Sequence, residues 1–294
     1  MESRTNRGRR KSIKSKARAM SILKFTAHNH KYSSEDDLEW LSVTNFIGNF
    51  KQPFEADKIA KKCSTNKKSK WYGLTSEEIK KAWKAEALRA TTLGTWYHNQ
   101  RENDLCQIGD MERHGITVPV FKPIEIEGVK YSPEQKLKEG VYPEHMVYLC
   151  SAGVCGQSDL VEVVNGTVHI TDYKTNKEIK VEGFTNWEGK TQKMSYPISH
   201  LDDCHLNHYA LQLSMYMFII LKHNPKLSPG ILTIHHILFE EAGRDRFDNP
   251  ISALDTYGNP IVTDVVQYNL PYLKKEAIDL IHWLEDNKHK IKAK

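Results

Sequence analysis

Alternating apolar and polar residues predict strands mainly in the middle and the last third of the chain. Further strands are predicted at residues 118–121, 124–126, 145–150 and 230–240. The clearest pair of runs, residues 154–163 and 167–173, flanks the dipeptide Asn165-Gly166. This dipeptide tolerates the left-handed backbone of a type I′ turn and is the strongest short-range signal for a β-hairpin. The sequence therefore predicts an antiparallel hairpin centred on residues 165–166.

Apolar residues spaced three to four apart predict helices on both sides of these strands. Thr75 and Glu78 have the spacing of a capping box, which predicts a helix that begins there and continues to about Ala90. Gly94 is expected to end this helix, and a second helix is expected to run from Thr95 to about residue 105. Other helices are predicted at residues 54–63, 206–221 and 273–290.

The order of these elements predicts an α/β fold with a mixed central β-sheet flanked by helices. Residues 1–20 are expected to be a basic, disordered tail, and residues 21–294 a single domain large enough to bury its own core. No stretch has the pattern of a membrane span or of a signal peptide. Five cysteines without disulfide-like spacing favour a reducing compartment. We therefore expect a cytoplasmic protein without a membrane partner, in the host cytoplasm if it is encoded by a phage.

The charge of the chain is unevenly distributed. The net charge is +5, but residues 1–20 hold eight Lys or Arg and one Glu, so the remaining residues carry a net charge of −2. Within the body, residues 51–90 hold eleven basic and five acidic residues. A basic segment of this kind is typical of one wall of a nucleic-acid groove or, alternatively, of a solvated helix face.

The predicted hairpin brings charged residues together. With a two-residue turn, Asp159 lies opposite Asp172 and Gln157 lies opposite Lys174, and opposed side chains share one face of a sheet. Two neighbouring carboxylates repel each other unless a cation lies between them. Mg²⁺ prefers such oxygens and promotes phosphodiester hydrolysis, which an ammonium group can assist. The alternative is a solvent-facing hairpin with scattered charges.

These residues resemble a known family. Residues 156–160 (GQSDL) and 171–175 (TDYKT) resemble the core of the PD-(D/E)XK nucleases, and in particular the RecB-like branch with its bacteriophage and mitochondrial genome-maintenance exonucleases. Residues 94–102 (GTWYHNQRE) resemble the G-T-x-x-H-x-x-x-E helix of that branch, and residues 212–216 (QLSMY) its Q-x-x-x-Y helix. Ser158 stands where the family name has Pro. The resemblance implies a restriction-endonuclease-like core.

The resemblance also implies roles for individual residues. Asp159, Asp172 and Lys174 are the expected catalytic residues. One or two Mg²⁺ or Mn²⁺ ions are expected, and the implied ligands are His98, Asp159, Asp172 and the backbone carbonyl of Tyr173. Glu102, one helical turn after His98, and Glu144, just before a predicted strand, are further candidate ligands. The candidates for contact with nucleic acid are Gln157, Gln212, Tyr216, Ser42 and Thr44; in the family, the Gln and Tyr either contact nucleic acid or brace the lysine.

We therefore expect a metal-dependent DNA exonuclease that acts on single-stranded ends in replication, recombination or repair, with a phage as one source. The alternatives are an endonuclease, an RNA-cleaving enzyme of the same fold, and a non-catalytic nucleic-acid-binding module. Residues 189–191 (GKT) lack the upstream glycine and strand of an ATP site, so no ATP is expected. The cysteines lack the closely spaced C-terminal trio of the relatives that hold an iron–sulfur cluster, so none is expected.

The tail gives a first testable prediction. Deletion of residues 1–20 removes eight positive charges and none of the motifs. If the tail only attracts polyanions, DNA affinity at low salt falls, the salt dependence of binding becomes shallower, and the turnover rate at saturating substrate stays within about twofold. Binding and digestion at several salt concentrations test this. A collapse of the saturated rate would make the tail part of the active site.

Overall fold

The computed structural model describes residues 23–35, 38–132 and 135–287. The predicted tail at residues 1–20 lies outside these ranges. The strands are β1 (Lys24–Thr26), β2 (Lys31–Ser33), β3 (Leu41–Ser42), β4 (Asp110–Arg113), β5 (Ile116–Pro119), β6 (Ile124–Ile126), β7 (Val129–Tyr131), β8 (Gly140–Leu149), β9 (Val154–Val164), β10 (Thr167–Lys174), β11 (Ser228–Phe239), β12 (Glu241–Arg244), β13 (Pro250–Ser252) and β14 (Val262–Leu270). The α-helices are α1 (Val43–Gly48), α2 (Ala56–Thr65), α3 (Ser76–Gln107), α4 (His205–His223) and α5 (Lys274–Asn287).

A mixed sheet of β14, β11, β10, β9, β3 and β8 forms the centre of the described structure. β10 and β11 run parallel and are connected through α4, while β9 is antiparallel to both β8 and β10. The prediction of an α/β fold with a mixed central sheet is confirmed.

The predicted hairpin is confirmed in its turn and in most of its register. Asn165 and Gly166 have φ of 51° and 71°, the left-handed backbone that a type I′ turn requires. Strand pairing follows the predicted register from Thr167 opposite Val164 to Thr171 opposite Leu160. It ends there, so the expected backbone pairing of Asp172 with Asp159 is not formed.

Two faces of the sheet are covered by different helices. The larger core joins α1, α4 and α5 to the sheet through buried residues such as Phe46, Val161, Leu213 and Leu280. On the other face, Leu105 near the end of α3 packs with residues of β5, β8 and β9. The hairpin residues therefore lie between α3 on one side and α4 on the other.

The prediction that Gly94 ends a helix is wrong. The capping box of Thr75 and Glu78 is present, but α3 then continues as one helix of 32 residues. A glycine inside a helix costs only about 1 kcal/mol, which the tertiary contacts along α3 outweigh. The helix passes close to Thr175 here, because a Cβ on Gly94 would lie 3.2 Å from Thr175 Oγ1.

Several strands escaped prediction. β1, β2 and β7 form a separate antiparallel sheet with β6, which was predicted at residues 124–126. β4, β12 and β13 belong to small hairpins, and β5 overlaps the strand predicted at residues 118–121. The missed strands β1, β2, β4, β7, β12 and β13 are three or four residues long, too short for an alternating pattern to stand out. β14, nine residues long at the edge of the central sheet, was also missed. Within the described residues, no helix has the combined length and hydropathy needed to cross a membrane.

A tight contact in the core gives the second prediction. A Cβ on Gly156 would lie 2.5 Å from the ring of Tyr216, a residue that is only 2% exposed. Gly156→Ala is therefore expected to lower the free energy of unfolding by about 1–3 kcal/mol, measured by urea denaturation. Gly109→Ala is the control, because its Cβ would meet nothing within 4 Å in the described structure. Equal midpoints for the two variants would contradict the packing.

Candidate metal and active site

The candidate site lies where β9 and β10 separate. Beyond Thr171 the two strands no longer pair. The carboxylate of Asp159 replaces the missing backbone acceptor, because its Oδ2 accepts a hydrogen bond from the backbone N–H of Tyr173 at 2.7 Å. β10 meanwhile stays paired with β11 as far as Lys174. The separation leaves an opening between two strands that are otherwise neighbours, and side chains enter it from both faces of the sheet.

His98 enters this opening from α3. Its Nδ1 lies 3.3 Å from Asp159 Oδ1 and 3.8 Å from Glu144 Oε1. Its Nε2 lies 3.2 Å from the backbone oxygen of Tyr173. A proton on Nε2 can be donated to that carbonyl, which fixes the ring and leaves the Nδ1 lone pair directed at the carboxylates. The carbonyl expected to bind a metal thus also serves to orient a candidate ligand.

Glu144 reaches the site through an unusual backbone. It lies in the middle of β8 with φ of 50°, a left-handed conformation that costs a non-glycine residue roughly 1–2 kcal/mol. Its flanking residues keep regular pairing with β9, where the same register would set Glu144 against Asp159. Gln157 Nε2 donates to Glu144 Oε2 at 2.6 Å. Strain of this kind collects at functional sites, and here it is found at a carboxylate of the cluster.

Lys174 and Asp172 complete the site from the side of α4. The two form an ion pair, and the Lys174 ammonium also lies 4.9 Å from the centre of the Tyr209 ring. Gln212 Nε2 donates to Asp172 Oδ1 at 3.3 Å and to the Tyr216 hydroxyl at 3.3 Å. The α4 side chains therefore hold the Asp172–Lys174 pair in place.

The charges of the site shift the pKa values of its members. Burial alone would lower the pKa of His98, but Asp159 and Glu144 outweigh it and raise that pKa to about 11. Burial raises the pKa of Glu144 to about 7. Burial, together with the charge of Asp159, raises the pKa of Asp172 to about 6. The burial of Asp159 is outweighed by His98 and Lys174, which lower its pKa.

The pKa of Lys174 is also perturbed. Burial would lower it, but Asp172 and Asp159 raise it above its usual range. Three carboxylates thus share one opening with two cationic groups, and neither cation is easily discharged. A ligand role for His98 requires loss of the proton that the carboxylates hold on the ring.

The remaining predicted residues lie at various distances from this cluster. Glu102 forms an ion pair with Lys130 at 2.7 Å and is not among the grouped candidate ligands. Ser42 caps α1 by accepting the N–H of Asn45, and Thr44 is exposed on the same helix. Tyr216 is buried, which favours the bracing role over contact with nucleic acid.

Two residues of the site were missed. Lys130 lies 3.9 Å from Glu144 and is on a three-residue strand that gave no sequence signal. Tyr209 lies three residues before Gln212, a helical spacing that could have identified it. His208, the residue before Tyr209, points away from the site and contacts Asp203 at 2.6 Å.

The donor set fits a divalent cation. Ligand atoms of His98, Glu144 and Asp159 all lie within 4.8 Å of one another. Carboxylates suit Mg²⁺ and Mn²⁺, and the imidazole shifts the preference towards Mn²⁺. This set is not selective for one metal. Asp172 lies next to it, paired with Lys174, as a further oxygen donor.

Comparison of the chain with protein-family models, with curated proteins and with solved structures found no match.

The cluster gives the third prediction. His98→Ala removes one of three grouped donors. Loss of an outer-shell partner alone costs about 10- to 100-fold in metal affinity, so loss of this donor should weaken Mn²⁺ binding at least as much. Calorimetric titration of metal-free protein measures this. His282→Ala, an exposed histidine on α5, is the matched control. If both variants bind Mn²⁺ like the parent, His98 only braces Asp159 and Tyr173.

Proposed function

We propose that the protein is a metal-dependent DNA exonuclease with a PD-(D/E)XK core of the RecB-like kind. One observation carries the proposal: the Asp172–Lys174 ion pair lies beside the His98–Glu144–Asp159 cluster in a single opening of the sheet. The sequence motifs predicted four of these five residues as a set and the fifth as a further candidate. Their convergence from α3, β8, β9 and β10 supports a shared chemical role.

The proposed role of the cluster is to hold Mg²⁺ or Mn²⁺ through Asp159, Asp172, His98 and Glu144. When bound, such an ion polarises the phosphate and lowers the pKa of a coordinated water. Lys174 would act through its positive charge. Because Asp172 and Asp159 keep it protonated, its ammonium is suited to orient the attacking water and to offset negative charge that grows on the phosphate. This supports the orienting role over that of a general base.

The surroundings of the site support action on a free end. The α2–α3 connection touches the turn of the β12–β13 hairpin, where Trp71 packs against Phe247 at 5.1 Å. The same turn is contacted by Lys177, whose Nζ donates to the backbone oxygen of Asp248 at 3.1 Å. These contacts join the α2–α3 connection and the β12–β13 turn to the segment that follows Lys174.

In the proposed mode of binding, a strand passes beneath these contacts to reach the site and has to enter by its terminus. The basic residues of the 51–90 segment and the exposed rings of Phe54 and Tyr72 on the same segment suit a single strand, through charge and stacking. The proposed substrate is therefore single-stranded DNA with a free end, and replication, recombination or repair is the setting in which such ends arise.

The fourth prediction tests this function. In Mg²⁺ or Mn²⁺, linear single-stranded DNA labelled at one end should be shortened to small products, while a covalently closed circle of the same sequence should persist. Lys174→Ala should slow digestion by at least about 100- to 1,000-fold with DNA binding retained. Lys180→Ala, six residues further on and exposed, should digest at the parent rate.

The possible outcomes separate the alternatives. Rapid nicking of the circle in Mg²⁺ would favour an endonuclease, and preferential cleavage of an RNA strand of the same sequence would favour an RNA-cleaving enzyme. Tight binding of DNA without any cleavage in either metal would favour a non-catalytic module.

A further inference from the structure

A cavity of about 270 Å³ lies next to the carboxylate cluster, between the small antiparallel sheet and β8. Glu144 and Lys130 form part of its wall, and both also belong to the site described above. The volume is just below the roughly 300–1,000 Å³ of pockets that take drug-sized ligands. It therefore suits one small ligand, which would lie directly beside the reacting groups.

The charge of the cavity favours an anion. Lys122, Lys130, Lys136 and Lys138 line it, and Glu144 is the one carboxylate among its described lining residues. Lys130 is engaged with Glu102 and Glu144, whereas the other three lysines are exposed at the rim. Ammonium groups arranged around an opening are typical of phosphate recognition.

One wall of the cavity is flat and apolar. Phe121 stacks on Tyr142 with ring centres 4.7 Å apart and an angle of 16° between the planes. A Cβ on Gly140 would lie 2.4 Å from the Phe121 ring, so only glycine admits the ring at this place. Phe121 and Ile124 are 38% and 52% exposed. Such a surface suits the face of a planar ring, and nucleic-acid bases stack on aromatic side chains in this way.

His145 adds an unsatisfied polar group to the wall. It is 3% exposed and lines the cavity. Its Nε2 is buried without a hydrogen-bond partner among the described residues. Leaving such a group unpaired costs stability, and burial lowers the pKa of His145 to about 4, so the ring adds no charge to the cavity.

We propose that this cavity binds a single nucleotide, with the base against Phe121 and Ile124 and the phosphate among Lys122, Lys136 and Lys138. A cavity with only charge would take any phosphate, and one with only the aromatic wall would take any flat ring. The combination fits a nucleoside monophosphate. On a strand under digestion this is the terminal nucleotide, and that form of the proposal rests on the proposed function.

Direct binding tests the cavity without any need for catalysis. Calorimetry in EDTA compares deoxyadenosine monophosphate, deoxyadenosine and inorganic phosphate. The monophosphate should bind at least tenfold more tightly than either part. Lys136→Glu with Lys138→Glu should weaken it at least tenfold, whereas Lys226→Glu with Lys274→Glu, a matched pair of exposed lysines elsewhere, should stay within twofold of the parent.

A second variant controls for the case in which the double lysine variant does not fold. Ile124→Trp at an exposed position fills the apolar wall, so it should weaken binding of the monophosphate at least fivefold and leave the circular dichroism spectrum unchanged. If the parent does not bind the monophosphate at millimolar concentration, or if both lysine pairs weaken it equally, the proposal is overturned.

A strand with an abasic terminal residue identifies the source of the nucleotide. If the terminal nucleotide occupies the cavity, the KM of the parent for this strand should be at least fivefold higher than for the intact strand, and Ile124→Trp should lose the difference. Equal KM values with retained monophosphate binding would overturn the strand-end form and support a free nucleotide as the occupant. Binding of the monophosphate without cleavage of DNA would support the cavity proposal and refute the proposed function. Cleavage of DNA without binding of the monophosphate would support the proposed function and overturn the cavity proposal.

Discussion

The hydrogen bond from the N–H of Tyr173 to the carboxylate of Asp159 is the contact on which the site depends. A hairpin that continued to pair beyond Thr171 would satisfy its backbone groups by itself and leave no room between its strands. Here the carboxylate supplies the acceptor, so β10 can leave β9 without stranding a buried N–H group. The opening that results admits His98 from one face, and Gln212 reaches Asp172 from the other.

The charges in this opening contribute little to stability. Three carboxylates, an imidazole and an ammonium are taken largely out of water, and the attraction within buried ion pairs often fails to offset the cost of desolvation. Apolar residues of similar volume would commonly give an equally stable protein. Glu144 adds backbone strain to that cost. The proposed function supplies a reason other than stability for these five groups to lie together, one of them with a strained backbone.

The parts of the site that sequence could predict are those that depend on local geometry. Asn165-Gly166 fixes the hairpin register, and that register alone predicts that Asp159 lies near Asp172. His98 was found by a motif, but its distance from the hairpin depends on how α3 packs. The left-handed backbone of Glu144 and the position of Lys130 on a three-residue strand depend on long-range packing, and no local pattern encodes either of them.

The prediction that Gly94 ends a helix failed for the same reason. The packing that keeps α3 a single helix is long-range and has no local pattern. Read locally, a glycine weakens a helix and marks a probable end. In three dimensions this glycine lies against Thr175, the residue after Lys174, and a Cβ here would meet the Thr175 hydroxyl oxygen at 3.2 Å. One turn later the same helix presents His98 to Asp159 and Tyr173. The close approach at Gly94 and the reach of His98 are thus one geometric requirement, and an unbroken helix transmits it because its backbone fixes the distance between the two residues.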